Sequence, residues 1–194
     1  PKFNVDLEID NSIVCQGGAV VIPAAPSGGS GTITYQWFES SDNSTFNSIS
    51  GATAISYLPS TNIVDTTYYR VEASASGIGC GNDTSAVGSV MVLPQLSVNL
   101  DQASAEVCLN EALTLQSTTS NGVGLITYQW QSSPDGTTSS NIPGETNQDL
   151  AVSTANAGLY YYRLVASADG IGCNDATSAI SQVRVHAYPT VSRT

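Results

Sequence analysis

The residues of this 194-residue chain able to do chemistry are few: four cysteines, one histidine and a short alternating run of acids. His186 is the only histidine and Lys2 the only lysine. A two-histidine metal motif is therefore excluded, and a triad would have a single candidate base near the end of the last strand. The simpler reading of His186 is an ordinary exposed strand residue. A Gly-rich phosphate loop lacks its following lysine. Cysteines in disulfides are not nucleophiles. This inventory assigns no catalytic residue and no cofactor, so an enzyme is not expected.

Asp6, Glu8 and Asp10 share one face of an extended first strand. Three carboxylates at that spacing repel unless water or a cation lies between them. Calcium would need further oxygens, which a loop such as Asn82-Asp83 could supply. The equivalent positions 93 residues on hold Asn99, Asp101 and Ala103, a weaker set, and no Asp-x-Asp-x-Asp-Gly loop is present. A solvated acidic face is the expectation, with calcium the alternative. Tyr68, Arg70, Tyr161 and Arg163 should project outward from the sixth strand of their respective copies. They either form a sugar-stacking or protein-docking strip or simply cover the sheet with amphipathic side chains.

Composition narrows the setting. Charged residues make up 11% of the chain, and the net charge is −11. The five cations, Lys2, Arg70, Arg163, Arg184 and Arg193, form no basic stripe, so nucleic-acid binding is not expected. No apolar run is long enough to span a bilayer. Four cysteines in a chain rich in Ser, Thr and Gly point to an oxidising, extracellular setting. Asn43-Ser44-Thr45 and Asn82-Asp83-Thr84 match a glycosylation acceptor, a common coincidence in such a composition.

The elements that must position these residues occur twice. Cys15 and Cys80 recur as Cys108 and Cys173 at a constant offset of 93. The same offset carries Tyr35-Gln36-Trp37 onto Tyr128-Gln129-Trp130, and Tyr68-Tyr69-Arg70 onto Tyr161-Tyr162-Arg163. It also carries Gly77-Ile78-Gly79-Cys80 onto Gly170-Ile171-Gly172-Cys173. The chain is a duplication. Repeats are expected over 1–94 and 95–188, with 189–194 the start of a truncated third repeat, or a tail.

Each copy reads as short runs of period-two alternation between clusters of turn residues. In the first copy these are Phe3 to Ile9, Ala19 to Ile22, Thr32 to Phe38, a weak strand near Ile55 to Leu58, Thr67 to Ala73, and Ala86 to Leu93. Six or seven such strands, without a sustained helical period, predict an all-β chain: two tandem immunoglobulin-like antiparallel β-sandwiches, end to end. Trp37 and Trp130 should sit between the sheets. Pairing within a repeat, Cys15 with Cys80 and Cys108 with Cys173, is the simplest of three connectivities. One difficulty attends it: in strict immunoglobulin order the two cysteine loops lie at opposite ends of the sandwich.

The segments Val14-Cys15-Gln16-Gly17, Tyr35-Gln36-Trp37, Gly51-Ala52-Thr53, Tyr68-Tyr69-Arg70-Val71 and Gly79-Cys80 resemble the immunoglobulin-like and PKD-like repeats of large Bacteroidota surface and secreted proteins. The second copy departs from the pattern at Leu109-Asn110 and at Gly144-Glu145-Thr146, which puts turn geometry there in question. The resemblance implies a structural or interaction segment, stalk or filament repeats of a bacterial cell-surface adhesin, with neighbouring repeats of the same chain as partners. The alternatives are a module recognising polysaccharide or a surface protein, and a non-catalytic spacer of a secreted glycoside hydrolase. The family supplies no catalytic residue.

Overall fold

A computed structural model describes residues 2–9, 11–77 and 81–189. It divides into two compact units, Pro1–Pro94 together with Gly170–Gly172, and Gln95–Asp169 together with Cys173–Thr194. The proposed start of a third repeat lies outside the described residues, apart from its Pro189.

The first unit contains β1 (Asn4–Leu7), β2 (Asn11–Cys15), β3 (Ile22–Ser27), β4 (Ile33–Ser40), β5 (Asn47–Ser48), β6 (Ser56–Tyr57), β7 (Thr66–Ala75), β8 (Asn82–Thr84) and β9 (Gly88–Leu93). One sheet runs β1-β3-β6, the other β2-β9-β7-β4-β5, with β8 added beside β7. The second unit contains β10 (Ser97–Leu100), β11 (Ser104–Cys108), β12 (Leu113–Leu115), β13 (Ser117–Ser120), β14 (Ile126–Ser133), β15 (Ser140–Asn141), β16 (Leu150–Val152), β17 (Gly158–Ala168), β18 (Ala176–Thr177) and β19 (Ser181–His186). Its larger sheet, β11-β19-β17-β14-β15 with β18 beside β17, has the same order. The facing layer is split into the pairs β10-β13 and β12-β16. The chain is all-β, and each unit is an immunoglobulin-like sandwich.

Alternation decides which side chains enter the core. Along β7, Tyr69, Val71, Ala73 and Ala75 are buried, while Tyr68, Arg70 and Glu72 are half-buried on the outer face. Tyr162, Leu164 and Ala166 do the same on β17. The expected first strand stops early. Phe3, Val5 and Leu7 are buried, but Ile9 is exposed, and the chain leaves β3 to pair in parallel with β9 as β2. All other described strand pairs of this unit are antiparallel.

The repeated Tyr-Gln-Trp motif builds the centre of each sandwich. Trp37 and Trp130 are fully buried. Each indole N–H donates to a carbonyl further along the chain, Ala54 at 2.9 Å and Asn147 at 3.1 Å. The preceding glutamine turns back to tie the same loop. Gln36 Nε2 donates to the carbonyls of Trp37 and Ile49 at 2.9 and 2.8 Å, and Gln129 Nε2 to those of Trp130 and Ile142 at 2.9 Å each. These bonds hold the loop after β4 against the tryptophan, so no polar group of the motif is buried at a loss.

The turns that differ between the copies keep their geometry. Gly17 and Asn110 both have positive φ, 85° and 62°, and their N–H groups donate to Thr61 O and Thr154 O at 2.9 and 3.0 Å. Asparagine tolerates this left-handed conformation better than other residues bearing a Cβ, so the replacement is absorbed locally. Gly51 and Gly144 likewise share positive φ, 74° and 81°. A third paired device follows β4 and β14. The Asp42 carboxylate accepts from the backbone N–H groups of Thr45 and Ser44 and from Ser40 Oγ. Asp135 accepts from those of Thr138 and Thr137 and from Ser133 Oγ. The backbone donors, first Thr45 and first Thr138, hold both carboxyls well below the usual carboxylate range.

Two outcomes follow. Gln129→Ala removes the bonds to Trp130 O on β14 and to Ile142 O in the loop beyond it and should cost about 1–3 kcal/mol in urea unfolding, while Gln182→Ala, exposed on β19, should stay within about 0.5 kcal/mol. Between the unfolded carboxyl value, about 3.9, and the depressed folded values, the unfolded chain binds more protons. The stabilisation from Asp42 and Asp135 is therefore complete above about pH 4 and fades as pH falls. Thermal midpoints measured from pH 5 to pH 2 should drop less in the Asp42→Asn/Asp135→Asn double variant than in the parent. Equal drops would refute the assignment.

Candidate functional site

A concavity of the first sandwich opens at the edge where β4, β7 and β9 face β6. It encloses about 210 Å³ and is lined by Glu39, Tyr57, Asp65, Thr67, Tyr69 and Val92 among others. An aromatic ladder leads to it from the core: the Trp37 and Tyr57 ring centroids are 5.8 Å apart and stacked, and those of Tyr57 and Tyr69 are 5.6 Å apart and tilted. Burial, more than the nearby Glu39 carboxylate, pushes the Tyr57 phenol up, and burial pushes that of Tyr69 up to about 12. Both therefore remain neutral hydroxyls. The Asp65 Oδ1 is occupied by the Thr66 N–H at 2.7 Å. The cleft thus offers aromatic faces, hydroxyls and carboxylate oxygens, a set suited to binding a small polar group. It holds no nucleophile paired with a base.

The second copy fills the equivalent position. Tyr160 stands where the first copy has Thr67, and its ring packs against the second core. Its hydroxyl donates to Asn156 O at 3.1 Å. Sequence reading missed this cleft, because Glu39, Tyr57 and Asp65 come from three separate segments and meet only through sheet pairing. The single available signal was the Thr67-to-Tyr160 difference between copies.

The expected outer strip is built differently in the two units. The Arg70 guanidinium lies over Phe46 at 4.5 Å and Phe38 at 5.2 Å from the ring centroids, and pairs with Glu72 at 3.4 Å. Arg163 has none of these neighbours, since positions 131, 139 and 165 hold Gln, Ser and Val; its Nε donates to Gln131 Oε1 at 2.6 Å. Tyr68 and Tyr161 occupy the same half-buried outer face. Arg70 is held by two rings and Glu72 while its buried Nε lacks a hydrogen-bond partner, whereas Arg163 Nε is paired, so the chemistry of the strip is not repeated.

Asp6 and Glu8 are exposed on and just after β1, and Asp6 Oδ1 accepts from the Leu7 N–H at 2.9 Å. Asp10 lies outside the described residues. Asp83, the expected source of further oxygens, instead accepts from the Val5 N–H at 2.8 Å. No group of three potential ligands suited to a metal ion occurs among the described residues. His186 Nε2 and Glu106 Oε2 are 3.1 Å apart in an exposed pair on β19 and β11.

In the second copy the cysteines depart from the expected pairing of Cys108 with Cys173. Cys15 and Cys173 are disulfide-bonded, whereas Cys108 is a free, exposed thiol. Cys80 lies outside the described residues. Strand register explains why Cys108 and Cys173 stay apart. Cys108 is level with His186, beside the start of β17, where Gly158 faces Val185. Cys173 follows the other end of β17, its Sγ 3.9 Å from the Val123 carbonyl oxygen. The ten steps of about 3.3 Å along the eleven residues of β17 separate its two ends by roughly 33 Å, far beyond the ~7 Å Cα limit of a disulfide.

Among the described residues no helix is long and apolar enough to cross a membrane. Curated proteins give no match. Among solved structures, the N-terminal four Ig domains of Dscam1 isoform 7.44 align over 92% of this chain and 44% of that one, at 13% identity and a TM-score of 0.44. The fibronectin(III)-like modules of Clostridium thermocellum CbhA align over 98% and 100%, at 16% identity and a TM-score of 0.40. The chain spans less than half the length of the Dscam1 structure. A family model matches each sandwich almost completely, over residues 9–94 and 99–187, and the chain belongs to that family, described as Domain of unknown function (DUF8696).

Proposed function

We propose that this chain is a non-catalytic structural and interaction segment, stalk repeats of a bacterial cell-surface adhesin working outside the cell. One observation carries the reading. The residues repeated at constant offset are those that hold the sandwich: Trp37 and Trp130, Gln36 and Gln129, Asp42 and Asp135. The residues with distinctive surface chemistry, Phe38, Phe46, Glu72, Glu39 and Asp65, have no chemical equivalent in the second copy. A duplicated module that keeps its frame and varies its surface is suited to spacing and display. An acidic net charge of −11 keeps such segments apart and soluble. A spacer within a secreted glycoside hydrolase would use the same frame.

The cleft beside Glu39, Tyr57 and Asp65 favours a second reading, a module binding polysaccharide or a surface protein through the first copy. Antibody against this segment should label intact cells producing the full-length protein, and external protease should remove the label. Labelling only after permeabilisation would sink the stalk reading. On a polysaccharide array the chain should show no saturable binding. Binding that disappears in Thr67→Tyr, which places in the first cleft the side chain that fills the second, would favour the second reading.

A further inference from the structure

The cleft of the first unit has a floor that both copies keep and a mouth that only this copy has. The floor, Tyr69, Val90 and Val92, recurs 93 positions on as Tyr162, Val183 and Val185. At the positions of Glu39, Tyr57, Ile63, Asp65 and Thr67, the second copy has Ser132, Leu150, Asn156, Gly158 and Tyr160. Glu39 lies two residues beyond Trp37 on β4, in the inward-facing row, where alternation calls for an apolar side chain. Asp65 is oriented by the Thr66 N–H on its Oδ1. Both residues are exposed, and among the described residues neither carboxylate pairs with a cation, since Arg70 is engaged by Glu72. After burial, it is the Glu39 charge that raises the Tyr57 phenol, so this charge is felt at the cleft wall. The rim is apolar. Ile63, 76% exposed, lines the cleft, and Leu58 and Val64 on the same loop between β6 and β7 are exposed as well. Where the first copy has Leu58 and Val64, the second has Ala151 and Ala157. Single exposed apolar side chains are ordinary, but three on one loop mark a contact surface.

We propose that this cleft receives a basic side chain, lysine or arginine, presented by an exposed segment of a partner protein. The proposal rests on the second reading above, that the first copy is a binding module, and names its ligand. Size limits the occupant. The cleft's 210 Å³ is below the about 300–1,000 Å³ of sites that bury a drug-sized ligand, so it admits one side chain, not a sugar chain. Charge selects its sign. Two carboxylates without a cation, in a unit whose own cations are Lys2 and Arg70, attract a positive group. An acidic sugar or a phosphate is repelled, and a neutral ligand leaves Glu39 and Asp65 uncompensated. The remaining surface matches the rest of a basic side chain. Its methylene stem packs on Ile63 and Val92, and its charged tip reaches the carboxylates beside the Tyr57 ring. The chain's net charge of −11 draws a basic partner in from a distance.

The test is an NMR titration of the isotope-labelled chain with acetyl-Gly-Lys-Gly-amide and acetyl-Gly-Arg-Gly-amide, with norleucine in place of the basic residue as the control. A cationic peptide should shift the amides of Ile63, Thr66 and Thr67 saturably, and the norleucine peptide should not. That comparison needs no variant. Binding should weaken about tenfold in Glu39→Gln/Asp65→Asn, which keeps an Oδ1 acceptor for the Thr66 N–H, and vanish in Thr67→Tyr. Raising the salt from about 0.1 M to about 1 M should weaken it too. Norleucine binding as well as lysine, or affinity unchanged in the double variant, overturns the proposal and leaves a binding module in place. Polysaccharide binding that Thr67→Tyr abolishes, with no response to either cationic peptide, does the same. No Thr67-dependent binding of any of these probes overturns both the proposal and the reading beneath it.

Discussion

Each sandwich depends on a tryptophan buried to zero exposure whose polar groups are all accounted for. An indole in the middle of two sheets contributes a large apolar surface, but its N–H would be costly there without a partner. Both copies solve this with the same loop. The backbone of that loop accepts from the indole and from the neighbouring glutamine, and it pairs with the tryptophan main chain through Trp37 N–H to Ala52 O and Trp130 N–H to Glu145 O, each at 3.0 Å. Local chain path, core packing and polar satisfaction are therefore one arrangement. The loop sequence can change from Ala52 to Glu145 because only its backbone is used.

From that centre the longest strands, β7 and β17, set the distance between the two ends of each unit. That distance matters more to the cysteines than sequence spacing does. Two cysteines per repeat at matched positions read as an internal brace, yet matched positions fix only where each one sits in its own copy, not which one it meets. Surface chemistry is under no such constraint. Arg70 rests on two phenylalanines and Arg163 on a glutamine, with the sheet beneath them unchanged.

Duplication, strand periodicity and the buried tryptophans were legible because they are local or strictly repeated. Tyr69, Val71 and Ala73 point inward as alternation requires. What escaped was decided by pairing between distant segments. The first strand was read through Ile9, since nothing in Ile9-Asp10-Asn11 marks a change of sheet; β2 becomes a strand because β9 offers it an edge. Two-residue strands such as β5 carry no periodic signal. The cleft of the first unit includes Thr67, where the second copy has Tyr160, a difference visible only when the copies are laid over one another.

The parallel pairing of β2 with β9, and of β11 with β19, has a mechanical corollary. Tension applied through the two chain ends draws the first member of each pair toward its N-terminus and the last toward its C-terminus, so the strands tend to slide along one another. The inter-strand bonds lie across that motion, and the five paired positions from Asn11–Ser89 to Cys15–Leu93 are loaded together, not peeled in turn. Each module thus carries a clasp that yields as a unit, set inside the antiparallel pairs β1–β3 and β10–β13 that precede it along the chain.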